Sequence, residues 1–417
     1  MPPRKFSQPN IIPCSEHGLS PDKVNKNALK VLSHLNKSGY QAYLVGGCIR
    51  DALLGLKPKD FDVATDAHPE QVRKLFRNSR LIGKRFRLAH VYFSGEIIEV
   101  STFRASHNAV TADARKAKGG RIIRDNVYGK LDDDVWRRDF TINALYCNIQ
   151  DFSIVDYVNG MQDIKNQQLR AIGVSADRYR EDPVRMLRAV RFATKLGFSI
   201  HPTTEKPIFN LVSLLADVPN ARIFEEFLKL FMHGNSLQSY QQLLKYGLFQ
   251  ILFPQIDNLL LEGDESLQKL LLLAFSNTDQ RLQENKSVTP IFLLAVILWK
   301  PVINLCMYHQ EQGLNETEAM LLAASTVISK QIKVIAIPKH LTHKIRDIWL
   351  LQIRLKNVRG KRALRLLAHK CFRLAYDFLL LRAAAGEAME ALDHWWTEFQ
   401  DKHMDVQLAA REERHKK

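Results

Sequence analysis

Apolar residues recur every three or four positions early in the chain, at Val24, Ala28, Val31, Leu32 and Leu35, and predict a helix over residues 21–38 that Gly39 ends. The period then drops to two. Short strands are predicted at 42–45, 60–64, 90–93, 97–103 and 142–149, with a short helix at 49–54 after the glycine pair Gly46-Gly47 and another at 68–76. From about residue 175 the pattern turns helical. Met186, Ala189, Val190, Ala193 and Leu196 form one apolar stripe closed by Gly197, and further amphipathic segments follow at 204–215, 221–233, 236–246, 265–275, 290–310, 315–330, 341–355, 361–385 and 387–400. The expected fold is therefore α+β: a small mixed sheet with helices at the N-terminal end, then an all-α remainder, with neither a βαβ series nor an internal repeat.

Three stretches carry no such pattern. Residues 1–20 hold four prolines and read as a flexible extension, and residues 401–417 read as a charged tail. Residues 105–134, rich in Lys, Arg, Gly and Asp, are expected to be a loop that orders on substrate binding or is disordered.

Candidate chemistry concentrates in LVGGCIRDALLGLKPKDFD, residues 44–62. In a strand beginning at Asp60, the carboxylates of Asp60 and Asp62 share a face while Phe61 turns inward. Such a pair suits a hard divalent cation. Gly46 and Gly47, lacking Cβ, would let backbone N–H groups approach a polyphosphate. A solvated acidic loop beside a Gly-Gly turn explains either feature alone; together with Arg50-Asp51 they favour a metal and nucleotide site.

GGCIRDALLGLKPKDFDVAT, then RRDFTINAL at 137–145, then REDPVRMLRAVRFA at 180–193 resemble the class II nucleotidyltransferases of the polymerase β superfamily, which comprise bacterial poly(A) polymerases and tRNA CCA-adding enzymes. The resemblance implies a polymerase β-like catalytic head at 21–165, a helical neck at 166–235 carrying the base-recognition motif, and a helical RNA-binding body at 236–400. It also implies Asp60 and Asp62 as ligands of two Mg2+ ions, with ATP as substrate. One ion would activate an RNA 3′ hydroxyl and the other would steady the leaving pyrophosphate. Asp139 in RRD is placed in the site on that resemblance, while Glu99 on the IIEVSTFR strand is the other candidate for the third carboxylate. Gly46, Gly47, Arg50, Asp51, Arg137, Arg138 and Arg188 are expected to bind nucleotide, Arg137 and Arg138 through guanidinium forks on the triphosphate.

A template-free polymerase must read its base with protein groups. Adenine sets an acceptor beside a donor, which an Arg donor and an Asp acceptor match, so Asp182 and Arg185 are expected to read it. Cytosine shows the same order, and pocket shape must choose between the two. Asp182 before Pro183 also has the form of a helix N-cap.

Net charge of +16 changes the picture by adding a polyanionic partner. Residues 344–373 hold ten basic residues and one acid, and a second cluster comprises Arg73, Lys74, Arg77, Arg80, Lys84, Arg85 and Arg87. Lys84, Arg85, Arg87, Arg359, Lys361 and Arg362 are the expected RNA contacts. LIGKRFRLAHV, residues 81–91, resembles the signature that separates the poly(A) polymerase branch from its CCA-adding relatives. The function expected first is thus AMP addition to RNA 3′ ends, of mRNA and of structured RNAs, with accessory RNA-decay proteins as partners and no DNA or membrane required. CCA addition to tRNA is the alternative, and a noncatalytic RNA-binding scaffold is disfavoured by the intact carboxylates. Five cysteines without CxxC spacing suggest neither zinc nor a disulfide framework. The lack of an apolar run in residues 1–20 leads to an expectation of a cytoplasmic protein.

Overall fold

Asn25 decides where the first long helix begins. Its side chain accepts the N–H groups of Asn27 at 2.7 Å and Ala28 at 3.2 Å, so the helix runs Lys26–Lys37 and residues 21–23 form a separate 3₁₀ turn. The expected continuous helix from residue 21 is corrected accordingly. The computed structural model describes residues 8–83, 87–105, 115–116, 122–124, 127–356, 361–387, 389 and 391–403. They pack as two units, Met1–Leu211 and Val212–Lys417, a division that falls inside the segment expected to be the neck.

In the first unit the strands are β1 Asn10–Ile12, β2 Ala42–Val45, β3 Asp62–Thr65, β4 Ser79–Ile82, β5 Leu88–Phe93, β6 Glu96–Thr102, β7 Arg115–Lys116, β8 Ile122–Arg124, β9 Leu145–Cys147, β10 Ile154–Asp156, β11 Gln168–Leu169 and β12 Ser199–Ile200. The helices are α1 Cys14–His17, α2 Lys26–Lys37, α3 Gly47–Leu53, α4 Pro69–Leu75, α5 Leu131–Arg137, α6 Gly160–Lys165, α7 Ser175–Glu181, α8 Val184–Leu196 and α9 Pro202–Leu211. Eight strands form one sheet in the order β1-β10-β9-β2-β3-β6-β5-β4. The β3–β6 pair is parallel and its other pairs are antiparallel, giving the mixed sheet expected.

Alternation fixes the two faces. Val63, Ala89, Val91, Ile98 and Val100 are buried, as are Ala28, Val31, Leu32 and Leu35 of α2. Glu96 ties α2 to the sheet by accepting the side-chain amides of Asn25 and Asn27. Elsewhere Val45, Ala64, Phe103, Val135, Tyr146 and Ile172 form a second core cluster, with Trp136 and Tyr157 at its edge.

Three expectations change. Part of the supposed flexible extension is β1, paired with β10 and burying Ile12, because two isoleucines can complete an edge that polar residues could not. The strand expected at 142–149 shortens to β9, since Thr141–Asn143 form a 3₁₀ turn whose side chains serve other partners. Most of the 105–134 loop lies outside the described residues, but its last part is α5.

The second unit is helical, as expected, with α10 Asn220–Phe231, α11 Ser236–Lys245, α12 Leu248–Leu252, α13 Pro254–Leu261, α14 Glu265–Gln283, α15 Pro290–Ile297, α16 Trp299–Glu311, α17 Glu316–Gln331, α18 Lys339–Leu355, α19 Lys361–Leu367, α20 Phe372–Ala385 and α21 Leu392–Lys402. The predicted 290–310 helix breaks between α15 and α16 with a 50° bend, beside Pro301, which has no N–H for the ladder and crowds the preceding turn. Phe231, Tyr240 and Phe275 stack in its core, and the buried indoles of Trp349 and Trp396 donate to the carbonyls of Ala295 and Leu355. Among the described residues no single helix is long and apolar enough to cross a membrane.

Candidate active site

The site begins where β2 runs out at Val45. Gly46 takes φ +80°, which an L side chain rarely adopts, and a Cβ there would stand 3.5 Å from Arg138 Nη1 and 3.8 Å from the Asn143 carbonyl. Those are ordinary contacts, so the positive φ is what calls for glycine here, with the Arg138 guanidinium lying beside the turn. Gly47 opens α3.

Val45 pairs in register with Asp62, and Asp62 with Glu99 on β6. Directly paired residues share a face, so two carboxylates stand side by side across a strand boundary. The strand starts at Asp62 rather than at Asp60, which lies exposed in the preceding loop. Burial pushes the Asp62 carboxyl up to about 6, Glu99 and Asp60 push the same way, and Arg138 pulls against them. Among the described residues no three His, Cys, Asp or Glu side chains are already gathered into a metal-binding group. Mg2+ needs no such cage: one or two carboxylates suffice when substrate phosphates supply other oxygens. The mutual repulsion at Asp62 is what a hard cation would relieve, so the donor set fits one.

RRDFTIN is the hub from which the remaining networks spread. The Arg138 Nε–H donates to Tyr146 Oη at 2.7 Å, its Nη2 to Asp134 at 3.1 Å, and Tyr146 donates in turn to Asp134 at 2.6 Å. Burial disfavours the Arg138 charge, but Tyr146 and Asp134 overcome this and raise its pKa. Burial would also push the Asp139 carboxyl up, yet Arg188 at 2.5 Å, the Asn143 amide at 3.1 Å and the Phe140 N–H at 2.8 Å hold it well below the usual carboxylate range. Asp139 is therefore bound by protein donors, while the carboxylates acting on Asp62 are Glu99 and Asp60.

Asn143 faces two ways. It donates to Asp139 and accepts from Arg50 Nη1 at 2.6 Å. Arg50, buried, grips Asp51 at 2.5 Å, and Asp51 reaches Lys195 at 3.1 Å on α8. The guanidiniums of Arg50 and Arg188 each lie over the Phe192 ring, at 5.1 and 5.2 Å from its centroid. Arg50 and Asp51, expected to touch nucleotide, also tie the turn to Asn143 and to α8.

The third network positions the predicted base reader. Arg185 Nη1 donates to Glu181 at 3.1 Å and to the Arg178 carbonyl at 3.0 Å. Arg178 also grips Glu181 at 2.6 Å, and donates to the carbonyls of Arg137 and Arg138. Asp182 is extended at the α7–α8 junction, with α8 opening at Val184. Burial, together with Arg104, Arg178 and Arg185, pushes Arg137 down to about 9; burial and Arg185 push Arg178 down to about 10. Glu181 offsets part of this crowding, and the guanidiniums favour further negative charge here.

Of the expected RNA contacts, Arg87 is half exposed and pairs with Glu70 at 2.9 Å, and Lys361 and Arg362 are exposed at the start of α19. Lys84, Arg85 and Arg359 lie outside the described residues. Sequence reasoning missed Glu181, Asn143, Tyr146, Asp134 and Lys195. Glu181 and Asn143 stood inside the quoted motifs and could have been found as polar residues flanking charged ones. Cys48 and Cys147 are buried in the core.

Residues 42–170 match the family model for the poly(A) polymerase head domain, 197–260 the model described as a probable RNA- and SrmB-binding site of polymerase A, and 312–417 that for the arginine-rich C-terminus of polymerase A. The chain is 50% identical over 397 residues to poly(A) polymerase I of Salmonella typhimurium, covering 94% of this chain and 85% of that protein. It is 49% identical over 400 residues to poly(A) polymerase I of Escherichia coli O157:H7, covering 94% and 86%. A CCA-adding enzyme of Lactobacillus delbrueckii is 39% identical over 226 residues, 54% of this chain and 55% of that one. Among solved structures, an apo CCA-adding enzyme superposes with TM-score 0.64 at 21% identity over 94% of this chain and 86% of that one. The Thermotoga maritima CCA-adding enzyme in complex with tRNA gives 0.59 at 21% identity over the same shares, and both establish a common fold.

Proposed function

The chain belongs to the bacterial poly(A) polymerase I family, a branch of the class II nucleotidyltransferases, and from that premise we propose that it adds AMP from ATP to RNA 3′ ends without a template. The observation that carries the chemistry is the registered pair Asp62 and Glu99, repelling each other in a half-buried site that a divalent cation would relieve. Asp60, Asp62 and Glu99 are the residues that would hold Mg2+; when bound, two such ions neutralise charge on the attacking and leaving oxygens of an in-line displacement.

In the reaction the RNA 3′ oxygen bonds to the α-phosphorus of ATP, the bond from that phosphorus to the bridging oxygen breaks, pyrophosphate leaves, and the hydroxyl proton passes to solvent. Arg137 receives the triphosphate, and Arg138 stands beside Gly46 at its edge. Asp182 and Arg185 read the adenine edge, Glu181 holding the Arg185 fork in place. Asp139 is a positioning residue that fixes Arg188 and, through Asn143, Arg50. Residues 21–165 are the catalytic head, 166–235 the neck and 236–400 the helical RNA-binding body. Tails made this way would mark mRNA and structured RNAs for processing and decay in the cytoplasm, with RNA-decay proteins as partners.

Poly(A) synthesis is preferred over CCA addition because the identity to poly(A) polymerase I spans 94% of the chain whereas that to the CCA-adding relative spans 54%. An extension assay decides: an unstructured RNA and a tRNA lacking its CCA end, each with Mg2+ and ATP, CTP or both. A long ladder from ATP on the unstructured RNA is the expected result. Three nucleotides added to the tRNA alone, with both CTP and ATP required, would overturn the reading in favour of CCA addition.

A further inference from the structure

The sheet continues past the carboxylates. Across β6 and β5, Glu99 pairs with His90, and across β5 and β4, His90 pairs with Arg80. Because directly paired residues share a face, Asp62, Glu99, His90 and Arg80 form one polar row over four adjacent strands. The alternate residues Val63, Val100, Ala89 and Val91 point the other way and are buried. His90 Nε2 stands 3.5 Å from Glu99 Oε2.

An aromatic ring sits beside this row. Tyr92, two residues beyond His90 and therefore on the same face, meets the imidazole edge-on at 6.3 Å between centroids. The Arg80 guanidinium lies over the Tyr92 ring at 5.8 Å, and among the described residues no carboxylate pairs with Arg80. The neighbouring side chains on this face, Ile82 and Ile97, are exposed at 40% and 49%. A half-buried ring, a cation with no carboxylate partner among the described residues and two exposed isoleucines thus share the face that carries Glu99.

We propose that this strip, Arg80, His90 and Tyr92 on the exposed face of β4 and β5, seats the last nucleotides of the RNA acceptor. The inference rests on the nucleotidyl-transfer reading and adds to it where the attacking strand lies. A 3′ hydroxyl must reach the carboxylate end of the row, so the strand behind it extends either along this row or away from the sheet. The row offers what unpaired RNA requires: an aromatic face for a base, a cation for a backbone phosphate, and no base-edge readout that would restrict sequence. His90 joins the strip to Glu99 and so aligns seat with chemistry. The arrangement also gives a role to LIGKRFRLAHV, which ends in this strand pair.

The test measures initial rates against an unstructured RNA and against ATP, with melting curves to establish folding. Tyr92→Leu, which keeps apolar bulk and loses the ring, raises KM for RNA about tenfold and leaves KM for ATP unchanged; Tyr92→Phe restores it. Arg80→Gln lowers the slope of log affinity against log salt by about 0.7, the contribution of one phosphate on a single strand. A wild-type KM for RNA in Tyr92→Leu, or an unchanged salt slope in Arg80→Gln, overturns the seat. Asp62→Asn separates the two readings: it binds the RNA with wild-type Kd and loses about 10³-fold in AMP addition if both hold. Near-wild-type turnover in that variant sinks the reaction assignment and leaves the seat to its own two results.

Discussion

Asp62→Asn lowers AMP addition by about 10³-fold, from loss of about 4 kcal/mol of charge stabilisation, without lowering the melting temperature. Both halves of that expectation come from one environment. Asp62 is half-buried, paired with Glu99 and within reach of Asp60, so its carboxyl is pushed up to about 6 and its charge is a burden on the fold at neutral pH. The sign follows from proton counting: between the ordinary carboxylate range and about 6 the folded chain holds the proton more tightly than the unfolded chain, so the burden lightens as pH falls through that window. An amide removes the repulsion at any pH. A variant that is inactive and no less stable is the mark of a residue kept for chemistry. Normal turnover, or a fall in melting temperature that by itself explained the lost activity, would count against the assignment.

Arg185→Ala has the second-largest effect, and it falls on selectivity. Wild-type protein should prefer ATP over GTP and UTP, because those bases present the reversed donor and acceptor order to Asp182 and Arg185. Removing a charged donor from a site built to use it costs about 2–3 kcal/mol, so the preference falls by about 10²-fold. Arg185 is held by Glu181 and the Arg178 carbonyl through Nη1 and by a long 3.4 Å contact from Nη2 to the Arg137 carbonyl, which together fix the direction of its fork. Glu181→Gln should therefore weaken the same preference by a smaller factor, since it loosens the fork without removing it. Competition between ATP and each other nucleotide on one RNA reads both effects. Unchanged ratios in Arg185→Ala would mean that the base is read elsewhere.

How much of this was legible beforehand follows the range of each interaction. The Gly-Gly turn and the α8 stripe are written within a dozen residues, and each appears where the pattern placed it, whereas the strand expected from Asp60 starts two residues later and leaves Asp60 in the loop. Asn25 moved a helix start because one side chain outbid a continuing apolar period. Pro301 split α15 from α16 inside an unbroken apolar run. The third carboxylate was undecided for a deeper reason: Glu99 meets Asp62 only through the parallel pairing of β3 with β6, and no local pattern specifies which non-sequential strands become neighbours. Asp139 carried the stronger motif, yet its partner Arg188 lies 49 residues away, and the Asp51–Lys195 pair spans 144. RRDFTIN was readable as a motif, but its service to three networks at once appears only when those distant arginines and carboxylates converge.

The central claim is that the carboxylates joined across β3 and β6 are where the reaction takes place. Its most direct test is Mn2+ binding followed by electron paramagnetic resonance, with a nonhydrolysable ATP analogue present, in wild type, Asp62→Asn, Glu99→Gln and Asp139→Asn. The account predicts that bound Mn2+ is lost in Asp62→Asn and Glu99→Gln and retained in Asp139→Asn, whose carboxylate is already taken by Arg188. Loss of the ion in Asp139→Asn with retention in Glu99→Gln would contradict it.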